Sequence, residues 1–565
     1  MGDQYGLVNV RAFGAIGNGV SDDTRTIRAA LSAVASGSSL YFPPGTYVVA
    51  PTETNGTILP IPGPNIRIYG AGIGQSIIKV KDASLPYGAI LSGTSGGTDL
   101  TNLEIDHLTF DGNVANNPVA NADEMMGGGY RASILAYVGA GKTIHHVEIK
   151  NSTAVNDIAL NSVAGGISIT HCRFVNCGDD PNHVVFDSSS IYIHAYGAIV
   201  ADNYWQSPGV NTPSARAAIE VHGKSITISG NVIRDYAVGM NVTGVSAVDG
   251  TDLAVLGNTI EGAAYGIQLW SVAYGGHVTG YGLDGCVVSG NSIHLAETGV
   301  WSLSAGNVVC GIKVEAGITM DIRGLVISGN IVASPLESTP ITQDDGAYRS
   351  VGIGWHSIQG ENVPALYDSV VSGNTIINFP VAGVFFNSNL QNVRITGNTL
   401  INTGSTLDPV FAGSGFKAPI YIGPPTFTRG LVIADNYIVD TNDVTRVPAA
   451  IWFACATEAS GIELLNNTVR LSGGDQSAFL THVGIVDNHA KPYLRGAFWG
   501  FLHTSDPTYE FATGSEVIDP SNGRVYRLAA DNKSWIYQPL LATGAGKTVD
   551  DVIAALQLRG IVRQT

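Results

Sequence analysis

Charge is scarce in this sequence: Asp, Glu, Lys and Arg together make up 13% of its 565 residues, about half the usual fraction. The charge that is present is mostly acidic, with a formal net value of -17. That argues against nucleic acid or an anionic membrane as a partner, because both are held by a basic face. Cysteine is rare as well. Cys172, Cys177, Cys286, Cys310 and Cys455 show neither metal-ligand spacing nor a dense disulfide pattern, and they read as small buried residues. No apolar run reaches the roughly 18 residues needed to cross a bilayer. No basic segment followed by an apolar core opens the chain as a signal peptide would. The expectation is an extracellular or virion-associated protein that leaves its cell by lysis or as part of a particle, or else a shortened chain.

Glycine, by contrast, is abundant at 70 residues, and it recurs within a repeat. The segment Ile226-Thr-Ile-Ser-Gly-Asn231-Val-Ile233 returns as Leu253-Ala-Val-Leu-Gly-Asn258-Thr-Ile260, Val287-Val-Ser-Gly-Asn291-Ser-Ile293, Val393-Arg-Ile-Thr-Gly-Asn398-Thr-Leu400 and Leu431-Val-Ile-Ala-Asp-Asn436-Tyr-Ile438. Alternate apolar residues before each Asn carry the period of a strand with one buried face. Gly or Asp followed by Asn suits a tight bend, so the chain is expected to turn at each Asn in the left-handed conformation. A third strand follows, as in Ala218-Ile-Glu-Val-His222, Gly266-Ile-Gln-Leu-Trp270 and Gly311-Ile-Lys-Val-Glu315. Earlier copies change the corner residue: Val200-Ala-Asp-Asn203, Ile169-Thr-His-Cys172, Ile149-Lys-Asn-Ser152 and Ile105-Asp-His-Leu108.

Three short strands per repeat suggest one turn of a solenoid. The spacing varies, from 24 residues (Asn374 to Asn398) to 44 (Asn330 to Asn374), so the repeat is a minimal coil bearing loops of variable length. The fold class is therefore all-β, a single-stranded parallel β-helix of about a dozen coils. At about 4.8 Å per coil it would extend on the order of 55 Å.

The first segment runs Val8-Asn-Val-Arg-Ala-Phe-Gly-Ala-Ile-Gly-Asn-Gly-Val-Ser-Asp-Asp-Thr-Arg-Thr-Ile27, then a helix, then Leu40-Tyr-Phe-Pro-Pro-Gly-Thr-Tyr-Val-Val49. Ser21 or Asp22 is positioned to cap that helix, on which Ile27, Ala30, Leu31 and Val34 form one stripe. A solenoid needs such a lid over its open end. This opening, continued through Arg67-Ile-Tyr-Gly-Ala-Gly-Ile-Gly-Gln-Ser-Ile77, closely resembles the segment that begins many pectate-lyase-superfamily proteins. That group includes phage tailspikes, glycoside hydrolases and uronate epimerases. The resemblance implies a right-handed helix of parallel strands and leaves the chemistry open, since one fold hosts many activities.

Three regions are expected: an N-terminal cap over 1–50, the parallel β-helix over 51–490, and a C-terminal segment over 491–565. In the last, Val525-Tyr-Arg-Leu and Ser534-Trp-Ile-Tyr-Gln-Pro539 read as a hairpin and residues 548–559 as a one-sided helix. A helix that short needs something to pack against. The candidates are the end of the solenoid or sister chains in a homotrimer, the usual assembly of the tailspikes that the chain resembles.

Chemistry is expected on the outward face of the third strand. With Ile, Val and Leu inward, the outward positions are Tyr192 and His194, Glu220 and His222, Asn241 and Thr243, Gln268 and Trp270, Lys313 and Glu315, and His356. Polar outward residues are ordinary on any solenoid, and His171, at a corner, reads as structural. Glycoside hydrolysis needs two carboxyl groups about 5 to 9.5 Å apart. Glu220 and Glu315 lie three coils apart, which is too far without loops, whereas Asp187 precedes the strand next to that of Glu220. Glu315 has Asp344 or Asp345 as alternatives. Elimination or epimerisation needs instead a base and a cation for a uronate carboxylate, for which Lys313, His356, or His194 with Tyr192 would serve. Catalysis is thus expected from Glu220, Asp187 and Glu315, and substrate binding from Tyr192, His194, His222, Trp270, Lys313 and His356. No calcium-type carboxylate cluster stands out, and neither metal nor cofactor is expected.

The expected function is tailspike-like hydrolysis within a bacterial surface polysaccharide. The alternatives are a lyase or epimerase acting on a uronate-containing glycan, and a glycan-binding adhesin or structural spike that does not cut.

Overall fold

The computed structural model describes residues 6–94, 97–119, 130–162, 164–178, 188–207, 217–245, 251–272, 281–297, 310–316, 320–335, 351–357, 365–404, 418–423, 427–441, 449–453 and 458–470, and the backbone of short strands between 477 and 538. The chain divides into two compact units, Met1–Pro364 and Ala365–Thr565.

In the first unit nearly every strand pairs in parallel with the equivalent strand of the next coil. One coil contributes Ala254–Leu256, Thr259–Ala263 and Tyr265–Val272, which pair with Val287–Ser289, Ser292–Leu295 and Cys310–Ala316. The alternation seen in the sequence is the reason. Val255, Ile260, Ile267 and Leu269 all point into the bore and are fully buried. The register keeps like residues stacked: Ile158, Ile191, Ile219, Met240, Ile267, Ile312 and Ile353 form one column. Burying each such side chain contributes roughly 1.5–3 kcal/mol. This is the expected parallel β-helix.

The corners differ from the expectation by one residue. The left-handed conformation belongs to the residue before the Asn: Asp202 (φ 56°), Gly230 (φ 65°), Gly257 (φ 61°) and Gly290 (φ 68°). The Asn that follows turns its amide inward. Asn231 Nδ2 donates to Asn258 Oδ1 at 3.0 Å, Asn258 Nδ2 to Asn291 Oδ1 at 2.9 Å, and Asn291 Nδ2 to Asn330 Oδ1 at 2.9 Å. Backbone groups exposed at the bend would otherwise be buried without partners, and the amide satisfies them. In an earlier coil the equivalent bend is at His146 (φ 52°), between the strands Thr143–His145 and Glu148–Ser152. The segment Ile149-Lys-Asn-Ser152, read above as that corner, holds a second bend farther on, at Asn151 (φ 50°).

The N-terminal helix spans Thr24–Ser32 and buries Ile27, Ala30 and Leu31, with Val34 just beyond it also buried. Its cap position is Asp23 and not Ser21 or Asp22. Asp23 spends its carboxylate on the N–H groups of Ile16 and Gly17 at 2.7 and 3.0 Å, while Asp22 accepts from the N–H of Thr24 at 3.1 Å. The parallel ladder begins as early as Leu7–Asn9, which pairs with Ser39–Phe42, which in turn pairs with Arg67–Gly70.

The second unit repeats the scheme in Val370–Ser372, Arg394–Thr396, Val432–Ala434 and Ile462–Leu465, with its own ladder Asn374, Asn398, Asn436 and Asn467. Near its end Glu516–Asp519, Arg524–Leu528 and Trp535–Gln538 pair antiparallel, so the expected hairpin is present. The helix expected over 548–559 lies outside the described residues. Among the described residues no helix is long and apolar enough to cross a membrane.

Cys172, Cys177, Cys286 and Cys310 are buried. Burial pushes Cys172, Cys286 and Cys310 up to about 12, so they serve as inert packing. Cys455 lies outside the described residues.

Candidate active site

The strands Ser189–Ala201, Ala217–Ser229, Val238–Val245, Tyr265–Val272 and Cys310–Ala316 lie side by side in unbroken register. One outward column runs Tyr192, Glu220, Asn241, Gln268, Lys313; the next runs His194, His222, Thr243, Trp270, Glu315. Parallel pairing holds equivalent residues about 4.8 Å apart, so residues scattered over more than a hundred positions become one polar strip. The bend after His222 allows no side chain: a Cβ on Gly223 would lie 1.8 Å from the carbonyl oxygen of Ala195.

Two centres form on this strip. At the first, His222 Nε2 meets Glu220 Oε1 at 2.8 Å, and both side chains are only 8% exposed. The ring of Tyr192 lies 5.3 Å from that of His222, and His194 lies 6.4 Å from it. Burial, with the neighbouring His222 as a second cause, pushes the pKa of His194 below its ordinary value. The result is a carboxylate, two imidazoles and a phenol gathered at one place, a set able to give and take protons.

At the second centre Lys313 Nζ contacts Glu315 Oε2 at 2.7 Å, again largely out of solvent. The ammonium sits 5.4 Å from the ring of Tyr265 and 5.5 Å from that of Trp270, close enough for cation–π attraction. Tyr265 is absent from the sequence expectation. A strictly alternating reading starts at Gly266, and the register between strands passes over that residue. Its signal was an aromatic beside a glycine at a strand start. Between the two centres, the buried Oδ1 of Asn241 has no hydrogen-bond partner among the described residues.

Glu220 and Glu315 are not brought together. Two strands stand between theirs, which at about 4.8 Å a step separates them by roughly 14 Å. Glu315 is engaged with Lys313 instead. Asp187, Asp344 and Asp345 lie outside the described residues. His356 is placed by its backbone next in register to Glu315, and its side chain is outside the described set.

Residues 7–241 match the family described as rhamnogalacturonase A/epimerase, pectate lyase-like. A stretch of 111 residues is 40% identical to mannuronan C5-epimerase AlgE6 of Azotobacter vinelandii, covering 19% of this chain and 13% of the epimerase. Over 537 residues the chain is 28% identical to the pre-neck appendage protein of Bacillus phage B103, covering 89% of this chain and 54% of that protein. The chain thus spans at most about half the length of these curated relatives. Among solved structures, the tailspike protein of E. coli bacteriophage HK620 in complex with a pentasaccharide superposes with a TM-score of 0.54 at 15% identity, over 84% of this chain and 80% of that one. At that identity the likeness speaks for the fold alone. The stacked parallel strands are those of a parallel β-helix, and over residues 7–241 the chain is similar to the pectate-lyase-like family.

Proposed function

We propose that the chain is a tailspike-like depolymerase that cleaves within a bacterial surface polysaccharide, and that the glycan lies along the polar strip. One observation carries this reading: the in-register gathering of Tyr192, His194, Glu220 and His222 beside the Trp270, Lys313 and Glu315 group. The first group supplies acid–base chemistry, and the indole of Trp270 offers a flat face to a sugar ring. Two relatives support a polysaccharide substrate by name, the mannuronan epimerase and alginate lyase 7 of Azotobacter vinelandii. The appendage protein of phage B103, matched over most of this chain, supports association with a virion.

In the hydrolytic form Glu220 is one carboxyl group and Asp187 the other, because Asp187 stands two residues ahead of Ser189, where the strand beside that of Glu220 begins. The second reading is elimination or epimerisation at a uronate. It is favoured by the two imidazoles and the phenol around Glu220. One assay separates them: purified protein is incubated with capsular and O-antigen polysaccharides from a panel of strains. Hydrolysis yields new reducing ends without ultraviolet absorbance, and elimination adds the absorbance of an unsaturated sugar. No shortened chains from any strain would overturn the depolymerase reading and leave a binding protein.

The C-terminal region 491–565 is proposed to hold three chains together. Its hairpin strands carry Tyr526, Trp535 and Tyr537, and aromatic residues are enriched where chains meet. Light scattering on the full chain is expected to give three times the chain mass of 58.9 kDa. Deletion of residues 541–565 is expected to lower it at low concentration. A monomeric protein would refute the trimer, and a truncated chain that stays trimeric would show that residues 541–565 are not the clamp.

A further inference from the structure

Away from the polar strip, one row of corners breaks the pattern of the others. The left-handed position, filled by Asp or Gly from residue 202 to residue 290, is filled by His107, His146 and His171 in three successive earlier coils, at φ 55°, 52° and 55°. Histidine reaches this region more readily than most residues, but it still bears a cost of about 1–2 kcal/mol that glycine avoids. Three such residues in succession, with His145 beside the middle one, call for a reason other than turning the chain.

Their rings are arranged together. His107 and His146 stack with centroids 5.0 Å apart and planes 3° from parallel, as do His146 and His171. His145 stands edge-on to the stack, its Nδ1 3.0 Å from Nδ1 of His146 and its Nε2 3.2 Å from Oε1 of Glu104. His107 Nδ1 lies 2.5 Å from Oδ1 of Asp106, whose side chain is fully buried. One ligand atom from each of Asp106, His107 and His145 lies within 4.8 Å of the other two.

The surroundings fit a cation. Arg67 grips Asp106 with Nε and Nη2 at 2.7 and 3.0 Å, and its Nε lies 3.5 Å from Glu104. One guanidinium against two carboxylates leaves the imidazoles beside a net negative charge. Arg67 and Glu104 also fix the orientation of Asp106 and His145, as outer partners do around metal ligands. His107 and His145 remain partly exposed, at 44% and 23%, so the cluster is open to solvent.

We propose that Asp106, His107 and His145 form a binding site for a divalent cation of the zinc class. Two imidazoles and one carboxylate suit that class better than calcium or magnesium, which prefer all-oxygen shells. Ligand distances near 2.0–2.2 Å require the three ligand atoms, now within 4.8 Å of one another, to draw closer, a shift taken up by the partly exposed rings of His107 and His145. The ligands come from Glu104–Asp106, the corner after it, and Thr143–His145, strands that pair across adjacent coils. A bound ion would therefore tie one coil to the next and stabilise the folded chain.

The test uses untagged, chelator-stripped full-length protein, with zinc binding followed by calorimetry and cobalt(II) binding by its visible absorption. One equivalent is expected to bind at neutral pH and to raise the melting temperature. His107→Asn keeps a residue that tolerates the left-handed bend, and His145→Gln keeps a polar side chain of similar reach, so both are expected to fold. Each should weaken binding by about tenfold or more, while His294→Gln, on a separate strand, should leave it unchanged. Absence of zinc binding at high micromolar metal, binding undiminished in either ligand variant, or weakening by His294→Gln would overturn the proposal.

Discussion

Replacing Asn258 with alanine is expected to destabilise the first unit by roughly 3–5 kcal/mol, more than most single substitutions. The side chain makes four hydrogen bonds inside the bore. Its Nδ2 donates to the Ile228 carbonyl at 3.1 Å and to Asn291 Oδ1 at 2.9 Å, and its Oδ1 accepts from the backbone N and the Nδ2 of Asn231, both at 3.0 Å. Alanine leaves the Asn231 N–H and the Ile228 carbonyl buried with no replacement, each costing about 1–3 kcal/mol. It also interrupts a ladder in which each amide orients the next. Thermal denaturation followed by circular dichroism should show a lowered midpoint for Asn258→Ala and little change for Thr259→Ala, whose side chain is only partly buried. A loss below about 1 kcal/mol would mean that water or neighbouring groups satisfy the corner and that the ladder is not what holds it.

The second large effect concerns Glu220. Glu220→Gln is expected to lower turnover of the responsive polysaccharide by about 10²- to 10⁴-fold, the range for removal of a general acid or base, while binding changes by no more than a few-fold. Glutamine preserves the volume of a side chain that is 8% exposed and packed against His222, so the fold and the sugar contacts survive. An amide cannot exchange the proton that a carboxyl group does. Reducing-end release, or ultraviolet absorbance if the route is eliminative, measures turnover, and equilibrium binding of the same glycan to both proteins measures affinity. Unchanged turnover and affinity would remove Glu220 from the mechanism and return the acid–base role to His194 or Tyr192.

These predictions use features of different legibility. The inward column of isoleucines was readable, because period-2 alternation allows only one set of residues to face the bore. The outward set, with Glu220 and His222 on one strand and Lys313 and Glu315 on another, followed from the same rule. The corner was found but misassigned by one residue: a Gly-Asn pair does not say which member bends the backbone, and the buried amide ladder that settles it exists only between coils. His146 escaped notice because its coil departs from the Gly-Asn spelling, while Ile149-Lys-Asn-Ser152 imitates it at the next bend.

That the chain coils, which residues line the bore, and which face carries polar side chains were all legible from the residues alone, since each of these depends on short-range periodicity along one strand. Which of those side chains meet was set by the stacking of the coils. The loops between coils vary in length, so the number of stacked steps between two residues does not follow from their separation along the chain. Stacking set Tyr192 against His222, put Lys313 beneath Tyr265 and Trp270, left Glu220 and Glu315 roughly three steps of 4.8 Å apart, and drew Asp106, His107 and His145 from neighbouring coils into one cluster.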